Sequence, residues 1–334
     1  MALGIVSRSF HRGKPGVLTS IDGMPVLTMP KKAWFVDGNL TGGDGTSWET
    51  AFSTIQAAVN AAAAYDVIYI KPFAPSATQN NGQPQVYAEN ITIAVGKTGL
   101  KLIGVPDLSD PYFGPKIKPA NTAAHVIHID AASVTLENLC IHNQALSTAG
   151  VFLSWMGATY NVSPTVDASH VLYAGSCGFN IRNCEFREGT TMATAGASIV
   201  VRGGFNGVIE NCTFVAGANA QAIQLGDDIT TFRNHKVINC NFHDNNGAAA
   251  TNYITVGTGA NKGIVIRDCT FGNATKFIIV PTGATSGIIA GCYFQDTVAT
   301  LANSTGKVQT PSGQDVAVTG CWGGVSLAVI QSAA

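Results

Sequence analysis

Two adjacent carboxylates, Asp227 and Asp228, follow the strand-like run QAIQL (221–225) and are the best local candidates for acid–base chemistry. A general acid and a general base need carboxyl groups held at a defined separation. A vicinal pair on an exposed turn is also what loop capping uses, and that is the simpler reading of these two. The histidines His142, His235 and His243 show neither HxH nor HExxH spacing. They read as surface turn residues rather than ligands. The eight cysteines include no CxxC pair, so the spacing of a metal site is missing. No metal and no cofactor is predicted. The loop from Asp37 to Asp44 could hold a cation, but its glycines fit an ordinary turn.

The cysteines have a different logic. Six of them recur in the segments IRNCEF, IENCTF, VINCNF, IRDCTF, IAGCYF and VTGCWG, at Cys184, Cys212, Cys240, Cys269, Cys292 and Cys321. The steps are 28, 28, 29, 23 and 29 residues. Weaker copies are LENLCI (136–141) and LIGV (102–105). In the former, Leu139 takes the cysteine column, so Cys140, like Cys177, falls outside it. Each unit reads as two short strands joined by a one-residue corner, because alternation by two fails only at the Asn, Asp or Gly before the cysteine. Those residues adopt a left-handed backbone most readily. Cys and Phe then face inward, where a free thiol is a small buried hydrophobe. Second strand-like runs precede the cysteine segments: ASIVVRG, QAIQLG, YITVGT and KFIIVPT. A unit of about 28 residues with two or three strands is one coil of a solenoid. The predicted fold class is all-β, a right-handed parallel β-helix.

That phase sorts the outward residues into columns. Two positions before the cysteine stand Glu137, Arg182, Glu210, Ile238, Arg267, Ala290 and Thr319, which suits a surface ion-pair ladder better than a site. Trp155, Tyr160, Tyr173, Tyr293 and Trp322 could stack on sugars, and Tyr293 and Trp322 share one column. A protein contact accounts for such aromatics better.

Composition agrees with many strands and tight turns. Hydrophobic residues make up 46% and charged residues 12%, with 37 glycines. The net charge of −1 excludes a generally basic nucleic-acid binder. Residues 1–32 differ: Arg8, Arg12, Lys14, Lys31 and Lys32 face the single acid Asp22, so this arm is +4 and the remainder −5. An extended basic arm on an acidic body predicts docking onto an acidic partner surface. No run of 18 apolar residues predicts a membrane span. The opening residues lack a signal peptide's apolar stretch, so reduced cysteines are expected.

Residues 33–72 form a strand, an amphipathic helix with Ile55, Ala58 and Val59 on one side, and a second strand. Such a helix covers the open end of a solenoid, a predicted N-terminal cap. Here the chain resembles the pectate-lyase-like superfamily of right-handed β-helices. The carrying motifs are Val36-Asp37-Gly38, Gly42-Gly43-Asp44-Gly45-Thr46, Thr54-Ile55-Gln56-Ala57-Ala58-Val59 and Asp66-Val67-Ile68-Tyr69-Ile70. With the repeat, the resemblance covers residues 33–325. It implies the fold and is nearly silent on activity, since the superfamily includes pectin-degrading enzymes, alginate epimerases, phage tailspikes and noncatalytic virion proteins. Gly226-Asp227-Asp228 looks like the Asp-Asp element of polygalacturonases. Their Asn-Thr-Asp, Gly-His-Gly and Arg-Ile-Lys elements have no match at a corresponding position.

The β-helix is expected over 73–328, with an apolar insertion at about 142–180 that carries Phe152, Trp155 and Met156 and suits a subunit contact. The resulting expectation is a noncatalytic structural protein of a bacteriophage virion. It would be a decoration or short tailspike-like homotrimer, docked on capsid or tail proteins through residues 1–32. A polysaccharide-degrading tailspike enzyme, or an adhesin for a host-surface polysaccharide, is the alternative.

Overall fold

The computed structural model describes residues 31–73, 86–106, 114–121, 124–143, 149–154, 175–188, 197–216, 221–226, 232–244, 250–257, 261–272, 274–280, 285–295, 308–309, 315–323 and 328–330, and four two-residue strands between 12 and 25. The described strands stack into three long sheets of ten, ten and eight strands. The first sheet starts at Ala33–Asp37, the second at Tyr87–Ala88 and the third at Ile91–Ile93. One coil contributes a rung to each in turn. A complete example runs Val208–Glu210, Thr213–Ala216, Gln221–Leu225, then Lys236–Ile238 of the next coil. Rungs pair in parallel with the same register from coil to coil, as in Ile181↔Ile209 and Phe186↔Phe214. Crossovers between parallel strands of one sheet are right-handed on steric grounds.

The cysteine segments set this geometry. Asn138, Asn183, Asn211, Asn239 and Asp268 sit at φ between 51° and 56°, with Gly291 and Gly320 completing the column. Each turns the chain from the first sheet into the second in one residue. Asn239 Nδ2 donates to Asn211 Oδ1 at 2.7 Å, tying neighbouring coils. Inside, Phe186, Phe214, Phe242, Phe271 and Phe294 stack with centroids 4.7 to 5.0 Å apart. The rung spacing of about 4.8 Å is also the spacing of stacked rings. The cysteine column is buried and every thiol is free. Cys240 Sγ lies 3.3 Å from the Ile238 carbonyl and 3.8 Å from that of Ile209 in the preceding coil, so the thiols also bridge rungs. Burial pushes the Cys212 thiol well above its ordinary pKa.

A second corner column, between the third sheet and the next first-sheet rung, holds Tyr65, Gly99, Ser133, Gly178, Asn206, Asn234 and Gly263, all at positive φ. Three short strands, Gly204–Phe205, Phe232–Arg233 and Asn261–Lys262, pair beside it. His235 lies here and is 1% exposed, not a surface turn residue. Its Nδ1 accepts from Gly207 N at 2.9 Å and its Nε2 stands 3.2 Å from the Gly203 carbonyl. A backbone amide with no other acceptor draws the ring inward.

The helix Ile55–Ala61 buries Ile55, Ala58 and Val59 against the first coils. Thr54 caps it by accepting from Ala57 N, and Glu89 accepts from Ile55 N and Gln56 N at 2.9 Å each. A carboxylate at this end also meets the helix dipole favourably. At the opposite end, Ala328–Ile330 pairs antiparallel with Cys321–Gly323. Among the described residues no helix is long and apolar enough to cross a membrane.

The expected insertion at 142–180 is corrected in part. Val151–Leu153 is an ordinary third-sheet rung, between Ile127–Ile129 and Ala197–Val201. Its Val151 and Leu153 fill the core with nothing exposed. A coil needs three strands, and this apolar run supplies the third. The remaining extra length, 144–148 and 155–174, lies outside the described residues.

Candidate functional site

Two regions of the outer surface bring chemically distinctive side chains together. The first is on the third sheet. Phe152 points outward from its rung, yet it is only 6% exposed. His125 stacks on it with centroids 4.4 Å apart and planes at 9°. His128, one rung away, meets it edge-on at 5.1 Å, and the Arg202 guanidinium stands 5.6 Å from the ring. Ala149 N donates to His125 Nδ1 at 3.0 Å. Burial, then the neighbouring His128, holds the His125 imidazole down to about 4. Beside it, Ser154 Oγ donates to Asp130 Oδ1 at 2.5 Å, and His128 Nε2 lies 3.1 Å from the same oxygen. The carboxylate therefore sits between serine and histidine. A nucleophilic triad needs the imidazole in the middle, to take the hydroxyl proton. This order positions a rung end and does not activate Ser154.

The second region is the outer face of the last coils. Tyr293 and Trp322 are partners in the second-sheet register, 45% and 43% exposed. Around the glycine corner, Val265, Ile288 and Ala317 form one outward column of the first sheet. Ile288 is 37% exposed. Between the two faces stand only the outward Ala290 and Thr319 and the corners Gly291 and Gly320, so small residues separate the exposed aliphatic and aromatic side chains. Toward the N-terminus the same first-sheet face turns polar. There Glu137 and Arg182 pair at 2.8 Å, as the alternating charges predicted.

The remaining candidates fall as follows. Asp227, Asp228, Trp155 and Met156 lie outside the described residues, as do Arg8, Lys14 and the side chain of Arg12. Lys31 and Lys32 belong to the first coil rather than to a free arm. Lys31 N donates to the Tyr65 carbonyl, and Val67 N donates to that of Lys32. Their ammonium groups stand 5.7 Å from the Tyr65 ring and 3.5 Å from the Trp34 ring. Such exposed cation–π contacts are worth about 0.5–1 kcal/mol. Phe152, placed by sequence in a protruding contact face, is instead covered by His125. In the Asp37–Asp44 loop, Asp44 accepts from Thr46 and Thr50, and Asp37 pairs with Lys71 at 2.8 Å. These carboxylates fasten a turn. The His125–Phe152 stack had no sequence signal, because ring stacking across rungs depends on the register of distant segments.

Known proteins bear on the fold. Residues 169–324 match the family model described as "Right handed beta helix region". No curated protein matches the chain. Among solved structures, a pectin methylesterase from Aspergillus niger is 14% identical, with 90% of this chain and 88% of that one covered at a TM-score of 0.46. A rhamnogalacturonan lyase is 14% identical over 79% and 68%, at 0.44. The tailspike protein of an E. coli bacteriophage is 13% identical over 88% and 50%, at 0.38. At these identities and scores the likenesses assign no activity. The parallel ladders, the left-handed corners and the family match identify the chain as a right-handed parallel β-helix.

Proposed function

We propose that this protein is a noncatalytic structural component of a bacteriophage virion, a capsid-decoration or short tailspike-like protein acting as a homotrimer. The observation behind the reading is the apolar outer face of the last coils, where Ile288, Tyr293 and Trp322 stand exposed together. Contiguous exposed apolar surface marks a contact with another protein. The basic residues Arg8, Arg12 and Lys14 of the N-terminal arm, with Lys31 and Lys32 at the edge of the first coil, are the second docking element, for an acidic surface on capsid or tail. The virion setting follows from the superfamily resemblance, which includes tailspikes and noncatalytic virion proteins. The Ser154–Asp130–His128 order and the Glu137–Arg182 pair support a structural role for the polar groups of the described surface.

Sedimentation equilibrium of the full chain at micromolar concentration tests the reading. A trimer is expected. A monomer, or release of reducing ends or unsaturated uronates from bacterial or plant polysaccharides, overturns it. Loss of such release in Asp227→Asn would assign the activity to the vicinal pair.

A further inference from the structure

We infer that Cys184 and Cys212 form a linear two-thiolate site for a soft divalent metal cation, reached through a groove at the corner between the first and second sheets. The inference stands apart from the virion reading. Register sets the two cysteines opposite each other on adjoining coils. Arg182 pairs with Glu210 before them, and Glu185 with Thr213 after them. Phe186 and Phe214, two residues further on, stack with centroids 4.9 Å apart, which measures the coil spacing at this point. Cys212 Sγ stands 3.3 Å from the Glu210 carbonyl and 3.6 Å from that of Ile181, so its sulfur leans toward the coil of Cys184. There the two thiols interact.

The spacing selects the ion. A metal–thiolate bond is about 2.3 Å long, so sulfur, metal and sulfur in a straight line span about 4.6 Å. Coils 4.9 Å apart accept that span with little movement. A tetrahedral ion needs more donors. Among the described residues no group of three or more His, Cys, Asp or Glu side chains could hold one. A two-coordinate ion needs only the pair, and thiolates favour soft ions.

The surroundings select the charge. Cys184 and Cys212 are 2% and 1% exposed, and Leu139 takes the cysteine position in the preceding coil. A net charge is costly in such a place. Two thiolates with one divalent cation are neutral, whereas a monovalent cation would leave a negative charge. Binding breaks two S–H bonds, forms two sulfur–metal bonds and sends both protons to solvent, with no change of oxidation state. Burial keeps the Cys212 thiol protonated, so a hard ion that cannot displace the proton is refused.

Access singles out this pair from the rest of the thiol column. A groove of about 310 Å³ opens at the corner, with Leu139, Asn183, Cys184 and Asn211 in its lining. Cys184 is the one cysteine that it touches. An entering ion meets Cys184 first, and Cys212 is the next thiol inward.

Retention of mercuric ion tests this. The full chain is mixed with mercuric chloride and with N-acetylcysteine as a competing monothiol, and protein-bound metal is measured after gel filtration. One ion per folded chain is expected to stay bound, with two protons released as it enters. X-ray absorption at the mercury edge should show two sulfurs in line. Zinc chloride under the same conditions should not be retained. Cys184→Ala and Cys212→Ala each turn a two-point contact into a one-point contact, so each should lose the ion at a roughly hundredfold lower N-acetylcysteine concentration. Cys292→Ala makes the same truncation in the same column, away from the groove, and should bind like the original, which separates lost ligation from lost packing. No retained mercury, one sulfur or three around the ion, equal retention of zinc, or unchanged retention in both groove variants overturns the proposal.

Discussion

Nine described residues other than glycine hold a positive φ, and all nine lie in the two corner columns. A left-handed backbone costs a residue with a Cβ about 1–2 kcal/mol, and asparagine lessens this with local hydrogen bonds. Asn239→Ala should therefore lower stability by about 1–2 kcal/mol, read as a fall in the urea midpoint. Asn239→Gly, which escapes the backbone strain, should lose less than half of that. His235 carries a different sensitivity. Burial holds its imidazole down to about 4 in the folded chain, against 6.5 unfolded. Between these values the unfolded chain binds a proton that the folded chain refuses. Stability is then full above pH 6.5 and falls as the pH drops toward 4, by on the order of 3 kcal/mol. Thermal melts from pH 7 to 4 should show this slope together with that of His125, and His235→Gln should reduce it to the part that His125 contributes.

At the scale of elements, the phenylalanine stack joins rungs that are far apart in sequence. Phe242 contacts Phe214 and Phe271 at 4.8 and 4.7 Å and is fully buried. Phe242→Ala should cost about 3–5 kcal/mol, seen as a lower urea midpoint. An intact midpoint would show that the stack collapses onto the gap. The first corner column, the thiols and the rings were legible in the sequence because one residue type recurs at each position. The second corner column was not, since Tyr65, Ser133 and Asn206 share a conformation without sharing chemistry. The rung Val151–Leu153 was misplaced for a related reason. An apolar run looks the same whether it protrudes or fills a coil, and only the register with Ile127 and Ile199 decides.

Across the described residues, three of the four large exposed hydrophobic side chains, Ile288, Tyr293 and Trp322, fall in the last coils and make an apolar face there. If that apolar face joins three copies, Ile288→Asp combined with Trp322→Ser should yield a monomer by sedimentation, with an unchanged circular dichroism spectrum. A trimer that survives both changes would place the contact elsewhere. The strand Ala328–Ile330 bears on a different hazard. A pile of parallel rungs contains no instruction to stop, because its last layer offers the same template as every layer before it. A strand laid in reverse presents a pattern that another copy's parallel rung cannot continue. In that sheet the last parallel rung is thereby covered by the chain itself, and the edge left to a neighbour no longer repeats the template of the stack.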